Sequence, residues 1–247
     1  SRDMYLTCLF HSNHQSSTAY KYIIENHDKL DKIITLTKRQ HQDLISSIPL
    51  EKLSVIPHSI EIRDFDNVNE RKNFVVLSRL AKSKQIDHIF RAFQQVVIEN
   101  SDIILDLYGD GEEEEDLKSL AKELNLENNV IFHGKTQTPL KVFQQATCSI
   151  VASKFEGFAL TIEESLANGC PVVSYNLKYG PSDMIQDGVN GFLIEEGNIK
   201  SLADKLKLIA SNEISFDEKS VQASMKDFTH DKFIENWMQL FTESIGN

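Results

Sequence analysis

Residues 153–175 read SKFEGFALTIEESLANGCPVVSY. The run leading into them, CSIVAS (148–153), is nearly all apolar, and so is PVVSY (171–175). Between the two lies TIEESLAN (161–168), of helical character, which stops at Gly169, a natural C′ residue, before Pro171. A strand, a helix and a second strand, each run nearly all apolar, make a βαβ unit, because strands covered on both faces lose their alternation. Gly157 permits a tight turn, so Glu156 falls in the loop at a strand's carboxyl end. Glu164, eight positions on, falls in the first turns of the helix. That edge is where a doubly wound sheet takes its ligand.

The same rhythm extends outward. NFVVLSR (73–79), DIILDLYG (102–109), NVIFHG (129–134) and GFLI (191–194) are further strand-like runs. Ile86, Ile89, Phe90, Phe93 and Val97 recur at helical spacing and form one apolar stripe. The fold class is therefore α/β, with a doubly wound parallel sheet. In the first 60 residues MYLTCLF, KIITLT and LSVIPH are strand-like, whereas SSTAYKYIIENHDKL and KRQHQDLISS are helical: a partial second α/β domain. The polar stretch EIRDFDNVNERKN (61–73) reads as a linker. These signals divide the chain into residues 1–61, 62–228 and a terminal helix at 229–247, with Thr229 as its N-cap. The first segment is too short for a complete domain, so the chain is expected to start partway through one.

A chain of 247 residues with 40% hydrophobic content can bury a substantial core. Its formal charge of −11 provides no global basic field, so no nucleic acid partner is expected, although a local positive pocket remains open. Cys8, Cys148 and Cys170 lie in apolar sequence without CxxC or histidine spacing and read as buried thiols in a reducing compartment. No apolar run approaches the roughly 20 residues that cross a bilayer. The cytoplasm fits best.

Three constellations could carry chemistry. In SRLAKSKQ (78–85), Arg79 ends a strand and Lys84 opens the next helix, two cations within reach of a diphosphate or simply two solvated side chains. In YGDGEEEEDL (108–117), Gly109 and Gly111 lack the third glycine of a dinucleotide fingerprint, because Glu114 holds its place. NAD is disfavoured there, and the acids from Glu112 to Asp116 suit a helix N-terminus. In the opening stretch, the amides of GFAL can face an anion while the two carboxylates accept sugar or ribose hydroxyls. Against this, Thr161 and Glu164 have capping-box spacing, and Glu163 reads as the carboxylate turned to solvent. Both readings of Glu164 stand.

FEGFALTIEESLANGCPVV resembles the signature of the retaining GT-B glycosyltransferases of family 4: E-G-F-G-L, then L-E-A, small residues, G and P-V-V, with two glutamates separated by seven residues. SRLAKSK resembles that family's R-L segment, and LYGDGEEEEDL, VIFHG and MIQDGVNGFLI resemble further family stretches in the same order. The resemblance runs from residue 73 to about 210 and implies two Rossmann-like domains. It implies that Arg79 and Lys84 bind the donor's diphosphate and that Glu156 meets the transferred sugar. Glu164 is to hold the ribose. Gly157 and the amides of Phe158, Ala159 and Leu160 are to face phosphate, and Gly109 and His133 join the donor-binding set. HSNHQ (11–15) resembles the segment in which relatives place a histidine facing the sugar, here His11 before His14. Two departures stand out: Ala159 replaces a glycine of the signature, and Gln85 stands where many members have glycine.

The implied activity is retaining transfer of a hexose or N-acetylhexosamine from UDP-glucose or UDP-N-acetylglucosamine to a hydroxyl acceptor. No metal or other cofactor is expected, the two cations doing a divalent ion's work; Asp64 and Asp66 of DFD fall in the linker and are discounted. HSNH, RLAKSKQIDHI and NLKYGPSDMIQDGVNGFLI most resemble bacterial members that glycosylate poly(glycerol phosphate) teichoic acid or serine-rich surface proteins, which implies teichoic acid, surface glycoprotein or another cell-surface glycan as acceptor. Peripheral association with the inner face of the membrane, through a fuller N-terminal part, and an oligomer are both compatible with it. By the same resemblance the terminal helix around Trp237 crosses back to the first domain. A noncatalytic GT-B-like subunit and a UDP-sugar epimerase are the alternatives, separated by whether the product is a glycosylated acceptor, nothing, or an altered sugar nucleotide.

Overall fold

The structure is a computed structural model that describes residues 6–10, 18–64, 71 and 73–245. Its first unit comprises β1 (Thr7–Phe10), α1 (Thr18–Asn26), β2 (Lys32–Thr35), α2 (Lys38–Leu44) and β3 (Leu53–Val55), with three parallel strands in the order β1-β2-β3. The second unit begins with β4 (Asn73–Leu77), α3 (Ile86–Glu99), β5 (Leu105–Tyr108), α4 (Glu114–Glu123) and β6 (Val130–Gly134). It continues with α5 (Pro139–Gln145), β7 (Ala146–Val151), α6 (Leu160–Ala167), β8 (Val172–Tyr175), α7 (Pro181–Met184) and β9 (Gly191–Ile194). Three helices close the chain: α8 (Ile199–Ala210), α9 (Glu218–Ala223) and α10 (His230–Ile245).

The larger sheet is parallel throughout, in the order β6-β5-β4-β7-β8-β9. Its first three strands are laid down in one direction from β4 and its last three in the other from β7. The loops leaving β4 and β7 therefore part to opposite faces and open a crevice beyond their carboxyl ends. The inner strands β4, β7 and β8 are largely buried on both faces because both faces are covered, whereas the edge strand β6 alternates, with Ile131 43% exposed. Phe74 and Val76 pack with Ile86, Ile89, Phe90, Phe93 and Val96 of α3, whereas Val75 packs with Phe143 of α5. Val97, read as part of the α3 stripe, is only partly buried, and Val96 completes that face.

The terminal helix lays Phe233, Trp237 and Leu240 against Ile34 of β2 and Ile56 just beyond β3. The Thr229 hydroxyl accepts a bond from the Lys232 amide at 3.3 Å, as an N-cap does. Within the stretch read as linker, residues 65–70 and 72 lie outside those described, while Arg71 is anchored: it donates to the carbonyl of Gly169 at 2.8 Å and pairs with Glu218 at 2.8 Å.

Three local expectations are corrected. Lys84 does not open a helix; it closes a 3-10 turn (Lys82–Lys84), and Gln85, left-handed at φ 47°, separates it from α3. Thr161 is the second residue of α6 and not its cap; that position belongs to Ala159, which has no side-chain oxygen, so no capping box forms. Glu163 does not face solvent: with α5, α7 and α9 all packed around α6, it is 2% exposed.

Candidate active site

The turn after β4 is held from two sides. Leu80 donates its amide to the carbonyl of Asp110 in the loop after β5, at 2.7 Å. Ser83 accepts from the amide of Lys154 in the loop after β7, also at 2.7 Å. The second bond draws the β4 and β7 loops together across the crevice. Gly109 makes the first approach possible: at φ 132°, a Cβ there would lie 1.8 Å from the carbonyl oxygen of Ser78.

Lys84 and Glu156 meet in consequence. The Lys84 ammonium lies 2.5 Å from Glu156 Oε1, and the hydroxyl of buried Ser153 donates to the same oxygen at 2.7 Å. Both members are part-buried, with side chains 23% and 19% exposed, so water screens the pair incompletely. Both donors use Oε1. Oε2 carries no partner among the described residues.

Beside this pair lies a cleft of about 680 Å³, with Ser78, Arg79, Lys84 and Gly109 along one wall and Thr161 and Glu164 on another. Glu164 is the fifth residue of α6. Burial pushes its carboxyl above the usual range, and among the described residues no hydrogen bond occupies its side chain. A cap would be engaged with backbone amides; this group is turned to the cleft instead. Its neighbour Glu163 is pushed up to about 8, by burial first and by the charge of Glu164 second, and its Oε1 has no partner among the described residues.

Between the two glutamates the chain passes through Gly157, Phe158 and Ala159. Phe158 is buried edge-on against His58 of the first unit, with ring centroids 5.1 Å apart. Ala159 takes the left-handed conformation, φ 71° and ψ 60°, in which the amides of Phe158, Ala159 and Leu160 bond to no acceptor among the described residues. Backbone amides left unbonded beside two cations are chemically able to receive an anion. Leu160 contributes its amide only, since its side chain is exposed.

Not every candidate reaches the cleft. His133 is engaged with Asp106 at 2.7 Å and stacks on Tyr108 with centroids 4.4 Å apart, and it is Tyr108 that lines the cleft. His11 and His14 lie outside the described residues. Sequence reasoning missed Ser153, Tyr108, His58 and Lys135, the last also on the cleft wall. Only the position of Ser153, at a strand end three residues before Glu156, could have signalled it. Lys135 follows a strand and resembles any solvated lysine; a salt bridge of 2.8 Å joins it to Asp110.

The family model described as Glycosyl transferases group 1 matches residues 58–227. The chain is 34% identical over 251 residues to the poly(glycerol-phosphate) alpha-glucosyltransferase of Bacillus subtilis (strain 168), a match covering 96% of this chain and 37% of that protein. It is 30% identical over 239 residues to the poly(ribitol-phosphate) alpha-N-acetylglucosaminyltransferase of Staphylococcus aureus (strain COL), covering 94% and 48%. A mutant of S. aureus TarM, solved in complex with fondaparinux, alpha-GlcNAc-glycerol and UDP, matches with a TM-score of 0.85 and 27% identity, covering 97% of this chain and 51% of that one. The chain thus spans about half the length of these relatives, or less.

Proposed function

Because the chain belongs to the group 1 glycosyl transferases, we propose that it is the donor-binding portion of a hexosyltransferase of the GT-B family 4 type. It moves glucose or N-acetylglucosamine from a UDP-sugar to a hydroxyl of teichoic acid, surface glycoprotein or another cell-surface glycan, with retention at the anomeric carbon. The observation that carries this reading is the meeting of Lys84 with Glu156 at 2.5 Å beside the cleft, with the unbonded amides of Phe158–Leu160 next to them.

In this reading the diphosphate lies between Arg79, Lys84 and those amides. As the bond from the anomeric carbon to the diphosphate breaks, negative charge grows on the departing oxygen, and Lys84, held beside Glu156, and the exposed Arg79 stabilise it without a metal. Glu156, steadied through Oε1 by Ser153 and Lys84, offers Oε2 to the sugar's hydroxyls. Glu164 accepts from the ribose hydroxyls, and the acceptor hydroxyl attacks from the face the diphosphate leaves, its proton passing to the departing diphosphate oxygen. Among the described residues no helix is long and apolar enough to cross a membrane. We place the reaction in the cytoplasm, at the inner face of the membrane, with peripheral association and oligomerisation as parts of the same reading.

Calorimetric titration with UDP, UDP-glucose, UDP-N-acetylglucosamine, GDP and NAD tests the reading. Uridine nucleotides are expected to bind, and Lys84→Ala and Glu164→Ala each to weaken them about tenfold or more, the equivalent of one charge-assisted hydrogen bond. Full affinity in Glu164→Ala alongside a lower melting temperature would return that residue to a structural role. Preference for NAD would end the proposal.

A further inference from the structure

The segment between β8 and α7 is gripped by the first unit and abuts the amide loop of the second. Tyr179, 1% exposed, donates its hydroxyl to Asp43 Oδ2 of the first unit at 2.5 Å and lies 3.2 Å from the hydroxyl of Tyr20 on α1. Lys178 pairs with the same Asp43 oxygen at 2.9 Å. On either side, Arg39 donates to the carbonyl of Leu177 at 2.9 Å, and the amide of Lys38 donates to Asp183 Oδ1 at 2.8 Å. The next residue, Gly180, lies so close under the amide loop that a Cβ on it would stand 2.0 Å from the carbonyl oxygen of Phe158. Gln40 of α2 reaches the loop directly, donating to the carbonyl of Gly157 at 3.2 Å.

We propose that Tyr179, held by Asp43 and Tyr20, is a positioning residue: from across the boundary between the two units it fixes the Phe158–Leu160 amides in the orientation that receives the donor's diphosphate. The mechanical part rests on the contacts above, and the diphosphate part rests on the function proposed in the preceding section. A buried hydroxyl between a carboxylate and a second phenol has one favourable placement, because a shift leaves that hydroxyl itself without its acceptor. The backbone of Gly180 moves with it, and Gly180 is the surface against which the carbonyl of Phe158 rests. The amide loop is thereby set by α1 and α2 of the first unit as well as by α6.

The test uses Tyr179→Phe and Asp43→Asn in the full chain. Tyr179→Phe keeps the ring in its buried site and leaves Asp43 paired with Lys178, so the fold is retained; melting temperatures and strand-amide exchange in β5 check this. NMR order parameters of the Phe158, Ala159 and Leu160 amides are expected to fall in both variants from about 0.85 towards 0.6, the difference between rigid and flexible backbone. In parallel, UDP affinity is expected to weaken about tenfold. Unchanged order parameters overturn the proposal, as does a loosened loop that binds UDP with full affinity. If the unmodified protein fails to bind UDP, the donor reading falls, and the order parameters alone decide whether Tyr179 positions the loop.

Discussion

Glu163 shows how much one side chain's surroundings matter. Its carboxyl is buried and its pKa is raised from 4.5 to about 8, so the folded protein holds a proton there that the unfolded chain gives up. Between those two values the native state binds more protons than the unfolded state, and stability falls as pH rises through that window. The raised carboxyl of Glu164 acts in the same direction. Glu163→Gln removes the first contribution: the variant is expected to gain about 1–3 kcal/mol over the parent at pH 8 and little at pH 5. Urea unfolding at both pH values measures it, and equal pH dependence in the two proteins would contradict the assignment. The two departures from the family signature also find their cause at this scale. Gln85 and Ala159 both have positive φ, 47° and 71°, so glycine suits these positions because the turns demand a left-handed residue. Each non-glycine residue there costs about 1–2 kcal/mol, which the surrounding packing absorbs.

The elements that build the cleft depend on one close approach between loops. The β5 loop lies against the β4 loop through Gly109, whose added Cβ would overlap the Ser78 carbonyl at 1.8 Å, backbone against backbone. Neither loop can yield without losing the bonds of Ser78 to Tyr108 and of Leu80 to Asp110. Gly109→Ala is accordingly expected to lower stability by about 2 kcal/mol or more and to weaken UDP binding, as chemical denaturation and calorimetry would show. A neutral substitution would mean that the two loops are not so coupled. The strands themselves were legible in the sequence. Runs such as FVVL (74–77) and VV (172–173) are apolar at consecutive positions, as strands covered on both faces are. The burial of Glu163 was not legible, because helical periodicity records one covered face and α6 is covered by α5, α7 and α9.

Across the whole molecule, α10 closes the chain onto its beginning. Leu240, 4% exposed, packs with Ile34 and Ile56 of the first unit, far in sequence from the six-stranded sheet's core. Leu240→Ala is expected to cost about 2–4 kcal/mol in the first unit. Hydrogen exchange should quicken in β2 and β3 and leave β4 and β7 protected; uniform quickening would mean that the two units unfold as one. The sequence by itself determined the alternation of strands and helices, and with it the parallel sheet and the edge to which Arg79, Lys84, Glu156 and Glu164 belong. Period and apolarity are local properties that a chain carries wherever it folds. Tertiary structure alone decided that Lys84 and Ser153 converge on one oxygen of Glu156, that Glu164 faces the cleft while Glu163 is sealed from it, and that Tyr179 reaches Asp43. Those relations join residues on separate segments, and their distances arise only when the crossovers of the sheet bring the loops together.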